Sequence, residues 1–444
     1  MIKQISLSIC FLCMAAQVYC QEDVQSQNER IKELQDELEN LKYSELVQSM
    51  SQRSLLIPGY FPELKALVAA QAHQFWTKKS HEVYVSHLNI YSSLHYGNKY
   101  LGYDSLLELH YNQIKGHDAL VVSIEFGHDP NVFFSAGSDG KILKWDLKNL
   151  KNPPVVLYKN REIFRSIEIS YDDNWMLATT KDHGVVIIDL HATQASLSSE
   201  VPAPSYTRDP EKVQAAKFLP GQLKYLTITK AGDVKMKGYG LDSTKTRTNA
   251  KIKVIEIDGK NNDVYAGTGK GVVQIWNENF EERYLDLPEL YAINALAISA
   301  NQRYIAIGRE KGDAIIWDMI DKKLVRTISG HQSAITDLDF SPDDKLLLTA
   351  SRDGTARIWD INESKRLPII LDDHEGWVMT ACFDRSGSKI LTGSRDKKIR
   401  VWPLDPKELE ERICEHVERN LTEEEWNEYV GQEIEYAETC VLQE

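Results

Sequence analysis

Histidine, serine and aspartate recur together in this chain, and these residue types could form a nucleophilic catalytic triad. A triad needs one exposed nucleophile beside an oxyanion site. In three passages, however, a His is followed 28 residues later by a Trp, with an Asp six residues before that Trp: His117/Asp139/Trp145, His331/Asp353/Trp359 and His374/Asp396/Trp402. Repetition together with a Trp is typical of buried polar groups whose hydrogen bonds are satisfied. We therefore predict that these residues are structural and that the chain has no catalytic residue.

Two further patterns resemble ligand sites but lack residues that such sites need. A phosphate loop needs a Gly five residues before its Gly-Lys and a Ser or Thr after it. Around GTGKG (267–271) those positions hold Val264 and Gly271, so we expect an ordinary turn. Five of the 12 histidines lie between His73 and His110, without the spacing of a zinc site. We predict neither a metal nor a cofactor.

The elements that carry the His–Asp–Trp sets repeat along the chain. Trp276, Trp317, Trp359 and Trp402 stand 41, 42 and 43 residues apart, and weaker copies place Ile188 and Tyr239 at the Trp position. The 257 residues from Trp145 to Trp402 equal six periods, which gives seven repeats. Each repeat alternates apolar and polar residues as strands do and has a Gly- or Asp-containing turn before its last inner strand.

The best copy, GHQSAITDLDFSPDDKLLLTASRDGTARIWD (330–360), resembles a WD40 repeat, which forms one four-stranded blade of a β-propeller. The resemblance covers residues 105–404 and implies an all-β propeller with seven blades. Residues 106–114 also alternate, and we expect them to supply the outer strand of the last blade. That strand would close the ring and remove exposed sheet edges.

The resemblance also implies a hydrogen-bonded set of His, Ser or Thr, Asp and Trp inside each intact blade. In blade six this set is His331, Ser351, Asp353 and Trp359, and in blade seven it is His374, Ser394, Asp396 and Trp402. Blade one keeps His117, Asp139 and Trp145 but has Gly137 at the Ser position. Blade two keeps Thr180 and Asp182, and blades three to five have no His.

Arginines stand in the turns of three consecutive blades, with the sequences GRE, SRD and SRD. This alignment places Arg309, Arg352 and Arg395 on neighbouring spokes of one propeller face. Guanidinium groups are suited to paired contacts with carboxylates. We predict that this arc binds an acidic segment of a partner or the chain's own acidic tail. The alternative is an ordinary WD40 turn with solvated arginines.

Composition and charge limit the class of partner. The chain has 444 residues, 42% hydrophobic residues and a mean hydropathy of −0.40, which fit a soluble globular protein. Residues 405–444 hold 14 acidic and 3 basic residues, so most of the formal net charge of −14 lies in this tail. Because nucleic-acid affinity comes largely from cations that neutralise phosphates, we expect protein partners and no nucleic acid.

The N-terminal region contains a predicted export signal and helices. Residues 1–20 combine a basic start with an apolar run of about 15 residues, which resembles a secretory signal peptide and is too short to span a bilayer. An uncleaved anchor is the alternative; with the signal removed, we expect no transmembrane span. Residues 21–46 carry apolar side chains at coiled-coil spacing and predict either a homo-oligomer or a single solvated helix. Residues 47–104 form a helical region, resembling secreted bacterial WD40 proteins of the Bacteroidetes type.

The cysteines of the tail could form a disulfide in an exported protein. Cys414 and Cys440 flank the acidic helical tail at 405–444, and we predict that they pair in an oxidising compartment. Two reduced thiols packed together are the alternative. Cys382 lies in an inner strand of blade seven and is expected to be a small buried residue.

The sequence thus predicts a non-enzymatic interaction scaffold, exported to the periplasm or envelope of a Gram-negative bacterium and binding proteins on its propeller faces. Two other classes of function remain open. A sensory propeller would bind a small ligand or a peptide and signal through the N-terminal helices. An enzyme would need polar or metal-binding residues that converge in the propeller channel.

Overall fold

We describe the protein from a computed structural model. It describes residues 2–78, 87–101, 112–181, 184–190, 206–209, 213–220, 224–229, 232–237, 243–247, 251–277, 281–285, 287, 291–362 and 367–441. The chain divides into two compact units. One comprises Met1–Gly102 and Pro406–Glu444, and the other comprises Tyr103–Asp405.

The second unit is a ring of four-stranded antiparallel blades. Blade one consists of β2 (Val121–Phe126), β3 (Val132–Gly137), β4 (Lys141–Asp146) and β5 (Val155–Lys159). Blade two consists of β6 (Phe164–Ile169), β7 (Trp175–Thr180), β8 (Val185–Asp189) and β9 (Tyr206–Asp209). Blade three consists of β10 (Val213–Phe218), β11 (Tyr225–Thr229), β12 (Asp233–Lys237) and β13 (Ser243–Arg247). Blade four consists of β14 (Ile252–Ile257), β15 (Val264–Thr268), β16 (Val273–Trp276) and β17 (Glu282–Tyr284).

The remaining blades follow the same order. Blade five consists of β18 (Ile293–Ile298), β19 (Tyr304–Arg309), β20 (Asp313–Asp318) and β21 (Lys323–Ser329). Blade six consists of β22 (Ile335–Phe340), β23 (Leu346–Ser351), β24 (Ala356–Asp360) and β25 (Ile369–Leu371). Blade seven consists of β26 (Val378–Phe383), β27 (Lys389–Ser394), β28 (Lys398–Pro403) and the early strand β1 (Gln113–Lys115). The predicted seven-bladed propeller is therefore confirmed.

The ring closes through β1, which pairs with β28 as the outer strand of blade seven. Ile114 lies opposite Ile399 in this pairing. Apolar side chains of blades one and seven also share one core, which includes Val121, Leu391 and Val401. Because β1 precedes blade one in sequence, these contacts join the two ends of the propeller chain and complete the last blade.

The innermost strand of every blade contains the same irregularity. The strand register shifts between its first and third residues, as between Ile335 and Asp337 in blade six. Such a β-bulge strengthens the local twist and redirects the side chains that follow. The bulge recurs between Val121/Ser123, Phe164/Ser166, Val213/Ala215, Ile252/Val254, Ile293/Ala295 and Val378/Thr380. As a result, equivalent side chains of all seven inner strands face the channel.

The first unit is helical and is assembled from both ends of the chain. It contains α1 (Ile2–Leu56), α2 (Pro62–Lys78), α3 (His87–Leu101), α4 (Pro406–His416) and α5 (Glu423–Tyr429). The C-terminal half of α1 packs against α2 and α3. The buried ammonium of Lys65 donates to the carbonyls of Ser54, Leu55 and Ile57 at 2.7–2.9 Å, which satisfies groups left free at the end of α1.

The acidic tail is fastened to the N-terminal helices within this unit. Glu410 of α4 accepts hydrogen bonds from the Gln74 side chain at 2.9 Å and contacts His73. Thr439 donates to Gln71 at 2.7 Å. The sulfurs of Cys414 and Cys440 form a disulfide with a Cα–Cα distance of 5.2 Å. The C-terminal helices α4 and α5 and the N-terminal helices, which the sequence analysis assigns to separate regions, thus meet in one folded unit.

Two local features bear on the sequence predictions for the helices. The Thr422 hydroxyl caps α5, and the Glu425 carboxylate accepts a hydrogen bond from the Thr422 backbone N–H, which forms a capping box. Among the helices of the described part of the chain, none has the length and apolar content that a bilayer crossing requires.

Candidate functional site

Blade six contains a buried hydrogen-bonded set around Thr349. His331 lies 2.8 Å from the Asp353 carboxylate through Nδ1 and 2.7 Å from Thr349 Oγ1 through Nε2. The Trp359 indole N–H donates to the same Thr349 hydroxyl at 3.0 Å. Burial alone raises the pKa of Asp353, but the hydrogen bond and charge of His331 outweigh it and hold this pKa well below its usual range. The set ties strands of one blade together and offers no exposed nucleophile.

The hydroxyl in these sets lies two residues earlier than predicted. Ser351 instead donates to the Ser333 carbonyl at 3.0 Å and accepts from the Asp353 backbone N–H at 3.1 Å, so it shapes the turn. Positions two apart in a strand share a face, which explains why both positions fit the pattern. The hydroxyl that faces the indole is ten residues before the Trp.

Blade one is complete under this corrected assignment. His117 contacts Ser135 Oγ at 2.8 Å and Asp139 at 3.1 Å, and the Trp145 indole donates to Ser135 at 2.8 Å. The hydrogen bond from His117 opposes the effect of burial and lowers the pKa of Asp139 to about 2. Gly137 is therefore not a missing member of the set, contrary to the sequence prediction.

Blades seven and two differ from this arrangement. In blade seven, His374 and the Trp402 indole meet at Thr392 Oγ1, at 2.8 and 2.9 Å. The predicted Ser394 accepts from the Asp396 backbone N–H at 3.2 Å, and the Asp396 carboxylate pairs with Arg400 at 2.7 Å. In blade two, Thr180 donates to the Gly184 carbonyl at 3.2 Å, whereas Asp182 lies outside the described residues.

One propeller face carries the turns that follow the second strand of each blade, and we call it the turn face. It is defined by Ser138, Lys181, Gly269, Glu310, Arg352 and Arg395, whose backbone N–H groups donate to the carbonyl just before the inner strand of the same blade. Glu310, not Arg309, is therefore the blade-five equivalent of Arg352 and Arg395. The predicted arc of three arginines is wrong by one residue in blade five.

That one-residue shift reverses the environment of Arg309, because successive strand side chains point to opposite sides. Arg309 is only 2% exposed, and its guanidinium forms a two-point ion pair with Asp313, including an Nε–Oδ1 hydrogen bond of 2.8 Å. Glu310 occupies the exposed position instead. A hydrogen bond from Asn294 lowers the Glu310 pKa, with Lys253 and Arg352 adding to the effect.

The other two arginines flank an exposed tryptophan. The guanidinium carbons of Arg352 and Arg395 lie 5.2 and 4.9 Å from the ring centroid of Trp377, which is 41% exposed. Cations at these distances are attracted to the ring face. We call this group the Arg–Trp–Arg site. Two guanidinium groups thus lie close to one aromatic ring, part of which is open to solvent.

A smaller group of the same chemistry lies in blade five. Lys311 stands 4.8 Å from the ring centroid of Tyr291, which is 38% exposed. The sequence prediction identified the turn arginines but not Trp377 or Tyr291. Their signal was an aromatic residue next to the start of an inner strand, beside a basic turn. Aromatic residues and Arg are the types enriched where proteins bind one another.

The propeller channel contains a ring of charged side chains that the sequence analysis missed. The channel has a volume of about 670 Å³ and is lined by inner strands of all seven blades. The fifth residue of each inner strand contributes to one ring: Glu125, Glu168, Lys217, Glu256, Ala297, Asp339 and Cys382. Lys217 Nζ lies 2.6 Å from Glu256 and 3.8 Å from Glu168. The ring thus contains four acidic side chains and one ammonium group, and two of the acidic side chains contact that ammonium.

The titration of this ring does not favour nucleophilic chemistry. Burial raises the pKa of Glu125 to about 8 and that of Asp339 to about 7. Burial opposes the charge on Lys217, but Glu256 and Glu168 outweigh it and raise the Lys217 pKa, which keeps the amine protonated. Burial also raises the pKa of the Cys382 thiol well above its usual range. Activated amines and thiols need the opposite shift.

Metal binding receives no support from the part of the chain that the structure describes. Within it, no group of three or more His, Cys, Asp or Glu side chains is placed to hold an ion. The Glu168 carboxylate accepts from the Phe218 backbone N–H at 2.8 Å, and Asp339 accepts from that of Phe383 at 2.8 Å. These bonds link neighbouring blades, which gives the ring a structural role.

Comparison with known proteins supports WD40 as the type of repeat in this chain. The family described as "WD domain, G-beta repeat" matches residues 109–146, 322–360 and 365–403, which lie in the first and last two blades. Human WD repeat and SOCS box-containing protein 1 is 35% identical over 89 residues, 20% of this chain and 21% of that protein. The Drosophila melanogaster Protein LST8 homolog is 34% identical over 124 residues, 26% of this chain and 40% of that protein.

The chain spans only about a fifth of the first of these relatives and two fifths of the second. Both are animal proteins, so the resemblance to secreted bacterial proteins stays a prediction. What the matches share with this chain is the repeat itself, found in blades that also have complete strand order and the His–hydroxyl–Trp contacts. The protein is a seven-bladed β-propeller that contains WD40 repeats, matched in its first and last two blades.

Proposed function

We propose that this protein is a non-enzymatic interaction scaffold that binds partner proteins on the turn face, with the Arg–Trp–Arg site as its centre. The observation that carries this proposal is the exposed Trp377 ring with two guanidinium groups within 5.2 Å of its centroid. Propellers with WD40 repeats typically bind other proteins. In this propeller, rigid strands position a site that is formed by turn and loop residues.

The chemistry of the site favours a partner segment that combines carboxylates with an apolar side chain. Two guanidinium groups can each bind a carboxylate, and the open part of the Trp377 ring can cover an apolar group. Arg352 already lies 3.5 Å from Glu310, so an incoming carboxylate would replace a weak contact. The chain's own acidic tail has the right charge but stands as one candidate among acidic segments.

Binding to acidic peptides tests this assignment. We would measure affinities of the full-length protein for an array of peptides that carry Glu or Asp next to Phe, Leu or Trp, with Lys-containing peptides as the reverse-charge set. Arg352→Glu/Arg395→Glu should weaken binding at least tenfold, since each guanidinium then becomes a repelling carboxylate. Trp377→Ala should weaken the same peptides while leaving the charges in place.

Lys181→Glu is the matched control, because Lys181 is an exposed cation at the equivalent position of blade two. If Lys181→Glu weakens binding as much as the arginine variants do, the effect is general charge and the site is wrongly assigned. If basic peptides bind as well as acidic ones, the proposed partner chemistry is wrong.

We further propose that the protein is exported to the bacterial envelope and self-associates through its N-terminal helix. The support is the basic and apolar character of residues 1–20, the disulfide between Cys414 and Cys440, and the apolar spacing in residues 21–46. Fractionation of source cells with N-terminal sequencing tests export. A mature protein found in the cytoplasm with an intact N-terminus would contradict it.

The channel favours a second candidate function, a propeller that senses a small cationic ligand. The observation behind it is the ring of four acidic side chains and Lys217 in a channel of about 670 Å³. A ligand that binds only the folded state would raise the unfolding temperature as its occupancy rises. A thermal shift screen of amines, with Glu125→Gln as the paired variant, distinguishes this function from surface scaffolding.

A further inference from the structure

The N-terminal half of α1 contains a stretch with no packed side. Residues 27–39 are exposed on every face, whereas the later residues Val47 and Met50 are buried against the rest of the helical unit. Isolated helices of about 12–15 residues are marginal in water, so a helix of this kind gains its stability from a partner. This exposed stretch of α1 therefore lacks a packing surface within its own chain's described residues.

One stripe of this exposed helix is apolar. Ile31, Leu34, Leu38 and Leu41 are 52%, 48%, 55% and 67% exposed. Their spacing of three, four and three residues places Ile31 and Leu38 at a positions and Leu34 and Leu41 at d positions of a heptad. In the sequence Val24 continues the a positions, and Glu45 and Gln48 end the stripe where α1 enters the helical unit.

The residue types in this stripe favour two parallel strands. β-Branched residues at a with Leu at d select the parallel dimer over larger bundles. Val24 and Ile31 at a, with Leu34 and Leu41 at d, follow that preference, and the exceptions are Leu38 at a and the polar Gln27 at d. A stripe of this width matches a second copy of the same helix, since each a and d side chain then meets its own equivalent.

The flanking charges match only one alignment of the two helices. Glu37 stands at a g position and Lys42 at the following e position. In a parallel, in-register pair, g of one helix lies beside the next e of the other, so Glu37 of each copy meets Lys42 of the other copy. The preceding g residue, Arg30, is held by Glu33 of its own helix at 2.8 Å, and the next e position holds the neutral Gln35.

We infer that two copies of this protein associate through residues 24–42 of α1 as a parallel, in-register coiled coil, with Ile31, Leu34, Leu38 and Leu41 in its core and Glu37 paired with Lys42. This inference rests on the proposed self-association and specifies its surface, stoichiometry and orientation. A dimer of this kind contains two Arg–Trp–Arg sites, which allows a partner with two acidic segments to bind both.

Light scattering of the full-length protein across micromolar concentrations tests stoichiometry. Wild type should be a dimer, and Leu34→Glu/Leu38→Glu should raise the dissociation constant at least a hundredfold, because two buried layers would then hold four carboxylates. Lys32→Glu/Asp36→Lys, which changes charges outside the stripe, should remain dimeric. The melting of the propeller should be the same in all three proteins, which separates lost association from lost folding.

Orientation is tested by a charge exchange. Glu37→Lys alone and Lys42→Glu alone should each weaken self-association about tenfold, since both interhelical pairs become repulsive. A mixture of the two variants should form a heterodimer in preference to either homodimer.

In the parallel, in-register heterodimer, position 37 of one variant faces position 42 of the other, and both contacts then pair a lysine with a glutamate. Each homodimer instead has like charges at both contacts, so the mixture should recover wild-type affinity.

A cysteine provides a second test of orientation. Leu41→Cys should form a symmetric disulfide between the two copies at position 41 under mild oxidation, identified by mass spectrometry. Only a parallel, in-register pair brings the same d position of both helices together.

The outcomes separate the two levels of the claim. A monomeric wild type overturns both self-association and the coiled coil. A dimer that survives Leu34→Glu/Leu38→Glu retains self-association but overturns this surface. A dimer that depends on Leu34 and Leu38, yet shows no preference for the mixed pair and no disulfide at position 41, overturns the parallel orientation.

Discussion

Blades six and seven share a set of His, Thr, Asp, Arg and Trp at corresponding positions, but the hydrogen bonds within the two sets differ. In blade six the carboxylate of Asp353 lies against His331, and Arg357 stays 3.9 Å away. In blade seven Asp396 pairs with Arg400 at 2.7 Å, and His374 Nδ1 has no hydrogen-bond partner among the described residues. Matching residues in a repeat therefore do not guarantee matching hydrogen bonds.

A single position accounts for much of this difference. Thr355 in blade six donates to Asp353 at 2.8 Å and accepts from Arg357 Nε at 3.4 Å. The Arg357 guanidinium is therefore hydrogen-bonded to Thr355. Lys398 stands at the corresponding position in blade seven and offers no such acceptor. Arg400 then reaches the carboxylate directly, and burial together with its charge lowers the pKa of His374 to about 3.

The largest expected effect concerns the hydroxyl that both blades share. Thr349→Val should lower the free energy of unfolding by about 3 kcal/mol, because the buried His331 and Trp359 nitrogens both lose their partner. Ser351→Ala should cost only about 1 kcal/mol, since it removes turn contacts alone. Denaturant unfolding compares the two variants. Equal losses would show that the hydroxyl at 351 matters as much as that at 349.

The arginines should differ in the next largest effect. Arg400→Met should destabilise by about 2 kcal/mol, because it leaves the buried Asp396 carboxylate without its cation. Arg357→Met should cost less than about 1 kcal/mol, since His331 still holds Asp353. The histidine signals in NMR titrations should also change, with the His374 pKa rising in Arg400→Met. An unchanged His374 pKa would contradict the proposed competition between Arg400 and His374.

Blade one extends the comparison, because Gly137 stands where blades six and seven have Ser351 and Ser394. A Cβ at Gly137 would overlap His117 Nδ1 and Asp139 Oδ1, so this backbone position has room only for glycine. Gly137→Ser, which copies blades six and seven, should therefore destabilise by about 2 kcal/mol. Ser135→Thr, which copies the hydroxyl of those blades at the shared position, is the control. A stabilising Gly137→Ser would restore the original assignment.

The fold could be predicted because repetition reports the blade period several times over. Individual contacts could not be predicted, because an assignment that is wrong by one or two residues within a repeat leaves the period unchanged. Ser351 lies two residues from the correct hydroxyl and on the same strand face. Arg309 lies one residue from the exposed position and therefore on the opposite face. A signal for the first existed: a hydroxyl stands ten residues before the Trp in the three blades with His (Ser135, Thr349, Thr392), whereas Ala178, Ala266 and Ile307 replace it in blades two, four and five.

The channel ring and the shared helical unit were beyond the reach of sequence patterns for another reason. The ring joins residues that are some 43 positions apart, and each looks like an ordinary polar residue within its own strand. Contacts such as Thr439 with Gln71 join opposite ends of the chain, and one sequence contains no record of that pairing. Long-range contacts of this type depend on which surfaces the folded elements leave exposed.

The smallest expected effect is a difference in acid sensitivity between the two histidines. The pKa of His374 is about 3 in the folded protein, below its unfolded value of about 6.5, so the unfolded chain binds protons more readily. This contribution to stability is complete above about pH 6.5 and is lost as the pH falls towards 3. His374→Gln should remove about 1 kcal/mol of the decline in unfolding free energy between about pH 6.5 and 4.5.

His331→Gln should remove less of that decline, because Asp353 partly offsets the burial that lowers the His331 pKa. Urea unfolding of both variants and the wild type, repeated about every half unit of pH, measures the two slopes. At neutral pH both variants lose the histidine's bond to a threonine hydroxyl, so only the slopes are informative. Equal slopes for His331→Gln and His374→Gln would mean that Arg400 does not distinguish the two blades, and the different hydrogen bonding would then have no energetic consequence.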